Sequence, residues 1–458
     1  MESSKSLSKI FNTIFPFRDF LYILQQEEYS NKRFFVWLPR FFLRRNIEKR
    51  EHIKFTQRAR VTLVISVILF VLDAWYAVAH FPLSVVFVFL LVPLYIVVAN
   101  VIVTPVYDHI KKGIRLKARK TFESKSKSPN GRTKVIAITG SYGKTTVKNF
   151  IHELLKYNYK VQMVPGNINS TMGISRWITD YFLEGNDILI VEMDAFAKGR
   201  IAKSCQILPP DIAIVTNVGD QHIERFGTRE NLRDALGEVF ENAKPDAHLI
   251  FPVELEAWVN QISKEENQVL HEIEINDKIT YRGKTLTDVP LSESNKINLK
   301  FALEVADILD IPEDYVQDIS KKLIPPDRRQ KIGNIFGYEG IDDSYNISYT
   351  TAVAGIHEAK LQANARGKKL LVITAGIPEL GKDDFDKNNM LGRELGMMAD
   401  HTIVLNSMFA GEIQKGIGES LKYTVACDLK DAVTKLHESY PAVEWFVLQQ
   451  PELTDLYY

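Results

Sequence analysis

The stretch that decides the fold is KVIAITGSYGKTT, residues 134–146, followed by VKNFIHELL, residues 147–155. The β-branched run predicts a strand, Gly140 and Gly143 predict a tight loop, and the apolar spacing after them predicts an amphipathic helix. A strand, loop and helix in this order are typical of a phosphate-binding loop, because backbone N–H groups and the positive helix end point at the phosphates. Lys144 would reach the β- and γ-phosphates, and the Thr145 hydroxyl would bind Mg²⁺.

This phosphate-loop pattern is only partly regular. The pattern G-x-x-x-x-G-K-[ST] requires glycine where Ile138 stands, so only Gly143, Lys144 and Thr145 fit it. An ordinary helix N-terminus with a lysine in its first turn is the alternative. The strand before the loop and the helix after it favour nucleotide binding.

The composition limits the class of protein. A length of 458 residues predicts two or three domains, and 57 basic side chains balance 57 acidic ones, so no net charge favours a nucleic-acid partner. Cys205 and Cys427 are too few for a disulfide framework or a four-cysteine metal site, which indicates a reducing compartment. The first sixty residues do not resemble a cleaved signal peptide.

The N-terminal region has the character of a membrane segment. Residues 1–60 mix aromatic and basic side chains, as in a segment at a membrane interface; a small helical lid on the soluble part is the alternative. Residues 61–79 are nearly all apolar and residues 83–103 contain no charge, and each stretch is long enough to cross a bilayer. The apolar residues between Val61 and Leu72 favour insertion by roughly 3 to 6 kcal/mol, which exceeds the cost of about 3 kcal/mol for Asp73.

The short link between the two apolar stretches predicts a hairpin, and a buried soluble hairpin is the alternative. Asp73 either pairs within this hairpin or faces a partner. Basic residues flank it on both sides, so the positive-inside rule predicts two transmembrane helices in the cytoplasmic membrane, with both chain ends and the catalytic domains in the cytoplasm.

From residue 134 onward strand and helix patterns alternate. Residues 187–191, 212–216 and 248–251 read as strands, which predicts an open, mostly parallel sheet wrapped by helices. A second alternation begins near residue 334 and includes strands at 369–374 and 401–405. The predicted fold class is α/β: a central domain with a phosphate loop and a C-terminal Rossmann-like domain, preceded by a transmembrane hairpin. The predicted domains are an interfacial segment at 1–60, the hairpin at 61–105, a basic linker at 106–133, a nucleotide-binding domain at 134–328 and a C-terminal domain at 329–458.

Polar side chains follow two of these strands, at the edge where open α/β sheets bind ligands. Glu192 comes directly after the strand at 187–191 and could hold a Mg²⁺ shared with the γ-phosphate. Asp220 and His222 follow the strand at 212–216. Taken alone, Glu192 could be an ordinary solvated carboxylate and His222 an ordinary loop histidine. Their order after the phosphate loop is what favours a site.

Five motifs in order resemble one family. They are TGSYGKTT at 139–146, GNIN at 166–169, EM at 192–193, TN at 216–217 with His222, and DDSYN at 342–346. Together they resemble the Mur ligase family of ATP-dependent amide ligases, which build the peptide of the bacterial cell wall. The last motif and GIPELG at 376–381 are most similar to the MurF-type members, which add D-alanyl-D-alanine. The resemblance covers about residues 134–410.

The resemblance implies roles for the matching residues, with ATP and two Mg²⁺ ions as cofactors. It implies catalytic roles for Lys144, Glu192, His222 and Arg329. It implies ATP binding by Gly140, Ser141, Gly143, Lys144, Thr145, Thr146, Asn295, Asn298, Arg329 and Asp343. It implies metal ligands at Thr145, Glu192 and His222, and substrate contacts at Asn167, Asn169 and Asn346.

The resemblance also implies a reaction. ATP converts a carboxylate into an acyl phosphate, and an amine then displaces phosphate from it. The partners would be a UDP- or lipid-linked cell-wall precursor peptide and an amino acid or dipeptide, with the oligomeric state left open. The C-terminal domain would close to exclude water, with movement expected in the loop at 376–381 and near 325–333.

Three departures from the family pattern concern the second metal and the substrate. Leu236 stands where many members have a carbamylated lysine that helps hold the second metal, so that site is weaker or Glu238 or Asp234 compensates. The apolar hairpin stands where members have a domain that binds the UDP end of the acceptor, which suggests an acceptor on a lipid carrier. The stretch WFVLQQP at 445–451 lacks the expected basic residues. The alternatives are a poly-γ-glutamate synthase-like ligase, a folate polyglutamylating ligase and an inactive membrane scaffold.

Overall fold

The computed structural model describes residues 16–43, 55–81, 85–129, 131–166, 168–219, 223–263, 265, 267–276, 278–291, 293–324, 331–344, 348–378, 380–418 and 420–450. The chain divides into two compact units. The first unit comprises residues 1–113 and 453–458, and the second unit comprises residues 114–452.

The described part of the first unit is helical. Its helices are α1 (Phe17–Gln26), α2 (Asn31–Leu43), α3 (Gln57–His80), α4 (Val85–Leu90) and α5 (Val92–Lys125), the last of which continues into the second unit. By length and composition, α3 and α5 are able to cross a membrane. The 24 residues of α3 extend about 36 Å, against about 30 Å for a hydrocarbon core. Large apolar side chains point outward from α3, for example Val64, Leu72 and Trp75, which are 57%, 57% and 68% exposed.

Polar groups of the first unit pair with one another inside the helix cluster. The Tyr95 hydroxyl of α5 donates a hydrogen bond to Asp73 of α3. Of the two expectations for Asp73, pairing within the hairpin is therefore the one that the structure shows. Arg58 of α3 donates to Asn100 Oδ1 and Thr104 Oγ1 of α5, at 2.9 Å each.

The predicted linker differs from what the structure shows. Helix α5 continues to Lys125, so residues 106–125 of the predicted basic linker are helical. The physical reason is that this stretch is rich in lysine and arginine, which are good helix formers when they point to solvent. In the second unit, Ala118 and Phe122 at the end of α5 join a buried core.

The second unit begins with a parallel sheet. Its strands are β3 (Lys134–Thr139), β4 (Val161–Met163), β5 (Ile188–Glu192), β6 (Ile212–Val215), β7 (His248–Pro252) and β8 (Val269–Ile273), in the order β4-β5-β3-β6-β7-β8. Two short hairpins accompany it, formed by β1 (Lys127–Ser128) with β2 (Gly131–Arg132) and by β9 (Thr280–Tyr281) with β10 (Lys284–Thr285). The helices of this region are α6 (Lys144–Leu155), α7 (Thr171–Tyr181), α8 (Arg200–Cys205), α9 (Ile223–Phe226), α10 (Arg229–Glu241), α11 (Glu256–Ile262), α12 (Glu293–Ile308) and α13 (Glu313–Ser320).

Helices cover both faces of this sheet because its strands are apolar on both sides. Side chains alternate along β3, so Val135 and Ala137 belong to the core with α7, α8, α10 and α11, whereas Ile136 and Ile138 belong to the core with α6 and α12. The chain runs from β3 to β4 and β5 on one side and then returns to β6 on the other side. The carboxyl end of β3 is therefore the point where the strand order reverses, which is where open α/β sheets bind ligands.

A second sheet follows. It consists of β11 (Lys331–Ile335), β12 (Tyr338–Asp342), β13 (Lys369–Thr374), β14 (His401–Leu405), β15 (Tyr423–Ala426) and β16 (Trp445–Gln449), in the order β11-β12-β16-β13-β14-β15. Only the β11–β12 pair of this sheet is antiparallel. Its helices are α14 (Tyr349–Ala365), α15 (Asp384–Met398), α16 (Ala410–Ile417) and α17 (Leu429–Ser439). The predicted α/β class with two sheets is confirmed, whereas the boundary predicted at 328/329 lies outside the described residues and the domain limits stay predictions.

Candidate active site

The loop between β3 and α6 has positive φ angles at two positions, and both positions are glycine. Gly140 has φ +131°, and Gly143, the residue before α6, has φ +84°. A Cβ on Gly140 would lie 2.2 Å from Thr216 Oγ1, and a Cβ on Gly143 would lie 2.4 Å from Asn298 Oδ1. The loop therefore packs without space between the loop that follows β6 and the helix α12, with Ser141 between its two glycines.

The loop after β6 fixes the position of the phosphate loop by hydrogen bonds. The Thr216 hydroxyl and the Asn217 amide both donate to the Tyr142 carbonyl, at 2.6 and 2.8 Å. The Tyr142 N–H donates back to Asn217 Oδ1 at 3.2 Å, and the Gly219 N–H donates to Ser141 Oγ at 2.9 Å. The threonine and asparagine at 216–217 thus hold the loop in shape.

Lys144 is folded back on the loop in this structure. It is 9% exposed, and its Nζ donates to the Gly140 carbonyl. The same Nζ lies 3.6 Å from Asp194 Oδ1, and the Asn169 amide donates to Asp194 Oδ2 at 3.3 Å. The structure therefore brings Asn169 next to the phosphate-loop lysine through Asp194. Sequence reasoning missed Asp194, although it lies two residues beyond Glu192.

Thr145 and Glu192 meet as the sequence predicts. The Thr145 hydroxyl donates to Glu192 Oε2 at 3.0 Å, and Glu192 is only 2% exposed at the end of β5. A hydroxyl and a carboxylate are ligands that Mg²⁺ prefers. A separation of 3.0 Å between the two oxygens equals the edge of an octahedron with metal–oxygen bonds of about 2.1 Å. These two residues therefore fit a magnesium ion.

The two asparagines of α12 lie beside the phosphate loop. Asn298 contacts Gly143 as described, and its amide donates to Asn295 Oδ1 at 3.4 Å. Thr146 lies in the first turn of α6, next to Thr145. Asp343 is buried at the end of β12 in the C-terminal part of the second unit, where its N–H donates to the Gln449 carbonyl at 2.9 Å.

Four predicted site residues lie outside the described residues. They are Asn167, His222, Arg329 and Asn346. Their roles stay predictions, as does the second metal site, since Asp220 also lies outside the described part. Among the residues that the structure describes, no group of three His, Cys, Asp or Glu side chains is placed to hold a metal ion.

The structure describes the residues that the sequence raised as alternatives at the second metal site: Leu236, Glu238 and Asp234. Leu236 is 2% exposed and packs in the core of α10 and its neighbours. The carboxylate of Glu238 accepts hydrogen bonds from the Gly199 N–H on Oε1 and from the Ala202 N–H on Oε2, the latter at 3.0 Å. Glu238 thus satisfies backbone N–H groups at the start of α8, which favours a structural role for this carboxylate. Asp234 lies 3.6 Å from Arg233 with 43% of its side chain exposed, as an ordinary surface ion pair does.

The loop at 376–381, which the sequence predicts to move, contacts the start of α9. Gly381, with φ +69°, lies where a Cβ would be 3.5 Å from Ile223 Cγ2 and 3.6 Å from the Glu224 backbone. Asn388 of α15 holds this loop, because it accepts from the Ile377 N–H at 2.8 Å and donates to the Ile377 carbonyl at 2.9 Å. The loop therefore touches the start of α9, directly after His222.

A thiol nucleophile is not part of the described site. Cys205 lies under Met193, with 3.7 Å between the two sulfur atoms, and burial raises the pKa of its thiol. The thiol therefore stays protonated at neutral pH.

Comparisons with known proteins find similar sequences and folds. Residues 138–306 match the Mur ligase middle domain. The UDP-N-acetylmuramoyl-tripeptide–D-alanyl-D-alanine ligase of Bacillus subtilis (strain 168) is 30% identical over 264 residues, which are 54% of this chain and 57% of that protein. The chain spans about half the length of the curated relatives it matches.

Solved structures show the same fold. MurF from Acinetobacter baumannii matches 75% of this chain and 77% of its own, with a TM-score of 0.61 and 21% identity. MurF ligase from Thermotoga maritima in complex with ADP matches 75% of this chain and 80% of its own, with a TM-score of 0.59 and 24% identity. Residues 138–306 of this chain therefore match the Mur ligase middle domain, and about half of the chain is similar in sequence to a MurF-type ligase.

Proposed function

We propose that this chain is a membrane-anchored, ATP-dependent amide ligase of MurF type that activates a carboxylate as an acyl phosphate. The observation that carries the proposal is the pairing of Thr145 with Glu192 at 3.0 Å, beside a glycine-shaped phosphate loop at the reversal point of a parallel sheet. The similarity to D-alanyl-D-alanine ligases supports a cell-wall precursor peptide as the acceptor and D-alanyl-D-alanine or a similar amine as the second substrate.

The residues of the phosphate loop would bind and orient ATP. The N–H groups at the start of α6 and the ammonium group of Lys144 would neutralise the phosphates once Lys144 leaves the Gly140 carbonyl. Thr145 and Glu192 would hold Mg²⁺, which supplies positive charge at the γ-phosphate. Asn298 fixes Gly143 from the side of α12 and so sets the entrance to the helix.

Asn169 and Asp194 would position the substrate beside Lys144. The Asn169 amide donates a hydrogen bond to Asp194 at 3.3 Å, and Asp194 lies 3.6 Å from the Lys144 ammonium group. An acceptor carboxylate bound near Asn169 would lie close to the transferring phosphate, and closure of the loop around Gly381 would exclude water from the acyl phosphate.

The apolar helices support a membrane location for the acceptor. Helices α3 and α5 have the length and composition to span a bilayer, and basic stretches flank them, so both chain ends would be cytoplasmic. An acceptor on a lipid carrier would then meet the active site without diffusing from solution. This step goes beyond the similarity to the curated relatives, whose names specify UDP-linked acceptors.

The test uses the detergent-solubilised full chain with D-alanyl-D-alanine and either a UDP-linked muramyl tripeptide or its lipid-linked counterpart. Mass spectrometry would follow the amide product, and phosphate release would follow ATP use, with Lys144→Ala as the control. We expect product and phosphate in equal amounts with the lipid-linked acceptor. Product with the UDP-linked form alone would refute the lipid-carrier part, and release of no phosphate with either acceptor would refute the MurF-type activity.

One alternative is favoured by a specific observation. Leu236 packs in the core and Glu238 accepts hydrogen bonds from the start of α8, which supports a weaker second metal site. If the second metal site does not support catalysis, the alternative function is a scaffold that binds ATP without hydrolysing it. It predicts ATP binding that depends on Lys144 together with no phosphate release in the presence of any acceptor.

A further inference from the structure

Lys148 is a buried lysine of α6 that has no part in the proposed binding of the phosphates. It lies one helical turn after Lys144, so both side chains emerge on the same side of α6. Lys148 is 3% exposed, and its Nζ lies 2.7 Å from Glu192 Oε1. The angles of this contact fall outside hydrogen-bond geometry, so it is an ion pair, while the same Nζ donates to the Val164 carbonyl at 3.0 Å.

The two oxygens of Glu192 therefore have separate partners. Thr145 donates to Oε2 and Lys148 pairs with Oε1. Because the carboxylate is held at both oxygens, it cannot rotate without breaking one of these contacts. Its Oε2 stays beside the Thr145 hydroxyl, which is the arrangement that fits Mg²⁺.

A close backbone contact shields this ion pair. A Cβ on Gly166 would lie 3.2 Å from both Glu192 Oε1 and Lys148 Nζ, and 3.4 Å from Thr145 Cγ2. The backbone at Gly166 thus passes close to the pair, and a side chain there would make tight contacts with it. Among the described residues, Lys148 is the cation that pairs with Glu192, and removing one partner of a buried ion pair is strongly destabilising because it leaves a buried charge uncompensated.

We propose that Lys148 is a positioning residue for the magnesium site: it orients Glu192 and supplies, in the metal-free protein, the positive charge that Mg²⁺ supplies during catalysis. This inference rests on the metal placement of the proposed function. Lys148 and the metal act on the same carboxylate, so the two are thermodynamically linked. When the lysine charge is removed, Mg²⁺ alone becomes a stabilising ligand of the folded protein.

The test is thermal unfolding of the full chain in detergent without nucleotide, with millimolar MgCl₂ or with EDTA. Lys148→Met keeps the length of the side chain and removes the charge. For the unchanged protein we expect no resolvable response of the Tm to Mg²⁺. For Lys148→Met we expect a lower Tm in EDTA and a rise of roughly 5 °C or more at a hundred-fold excess of Mg²⁺ over its dissociation constant.

Two controls make this result specific. The double variant Lys148→Met with Glu192→Gln removes both charges and should lose the response to Mg²⁺. Lys156→Met removes a lysine from an exposed ion pair with Glu153, at 2.6 Å just beyond the end of α6, and should show no response to Mg²⁺ at any stage.

An equal Tm of Lys148→Met in Mg²⁺ and in EDTA would overturn the inference. If the variant unfolds in EDTA, it is prepared in Mg²⁺ and then titrated with EDTA; unfolding on titration supports the inference, and a chain already unfolded in Mg²⁺ overturns it. None of these measurements uses an acceptor. A protein that shows the Mg²⁺ response without ligating any peptide would refute the proposed reaction alone, and a working ligase without the response would refute the role of Lys148 alone.

Discussion

The replacement Glu238→Gln separates a structural carboxylate from a metal ligand. Glu238 accepts two backbone N–H groups at the start of α8, from Gly199 and Ala202. A hydrogen bond to a charged group contributes about 1.5 to 3 kcal/mol. Glutamine keeps one acceptor oxygen, but it turns an NH₂ group toward the second N–H and loses the charge. The expected loss is therefore about 2 to 4 kcal/mol of stability, or roughly 5 to 15 °C in Tm.

The assay for this prediction is thermal unfolding followed by circular dichroism, together with a titration of ATP turnover against Mg²⁺. Asp234→Asn on the same helix is the matched control, since a surface ion pair contributes at most about 1 kcal/mol. We expect Glu238→Gln to lower the Tm and to leave the Mg²⁺ concentration for half-maximal turnover unchanged. An unchanged Tm with a several-fold higher Mg²⁺ requirement would show that Glu238 binds metal and would refute the reasoning.

Three further predictions follow from the described geometry. Gly140→Ala should lower the Tm and abolish ATP binding measured by calorimetry, because its Cβ would meet Thr216. The control Gly131→Ala, at φ +110° with open space around it, should keep full ATP affinity. Equal ATP binding by both variants would contradict the loop geometry. Burial lowers the pKa of His401 below its ordinary value of 6.5. The unfolded chain therefore takes up a proton at a higher pH than the native protein does, and the stability of the fold decreases as the pH drops below about 6.5. His401→Gln should show a smaller drop in Tm between pH 7.5 and 5.5, and an equal drop in both proteins would contradict this prediction. Asn388→Ala removes both hydrogen bonds to Ile377 and should cost about 2 to 4 kcal/mol in unfolding experiments, so a loss below about 0.5 kcal/mol would show that the loop is held by other contacts.

Local patterns predicted the elements that position the site. The strand, loop and helix around residues 134–155 were predictable because β-branched runs, glycines and apolar spacing act over a few residues. The strands at 369–374 and 401–405 match β13 and β14 for the same reason. Helix α5 was predicted too short, because the basic composition after residue 105 indicated a linker even though those residues also favour a helix.

Contacts between distant segments were not predictable from the sequence. Lys148 and Glu192 are more than forty residues apart, and nothing in the motif distinguishes Lys148 from any exposed lysine of an amphipathic helix. Glu238 was considered as a metal ligand, because its position on α10 allowed that geometry, but its partners on α8 become visible only in three dimensions. The pairing of Asp73 with Tyr95 was one of two open expectations, and the choice depended on how α3 packs against α5.

The most direct test of the central claim uses an acceptor peptide labelled with ¹⁸O in the carboxylate that reacts. If ATP forms an acyl phosphate at the site of Lys144, Thr145 and Glu192, the amine displaces a phosphate that keeps one of these oxygens. We predict one ¹⁸O atom in each phosphate released, in step with the amide formed, and no release by Lys144→Ala. Release of unlabelled phosphate, or of phosphate without an acceptor, would contradict the account.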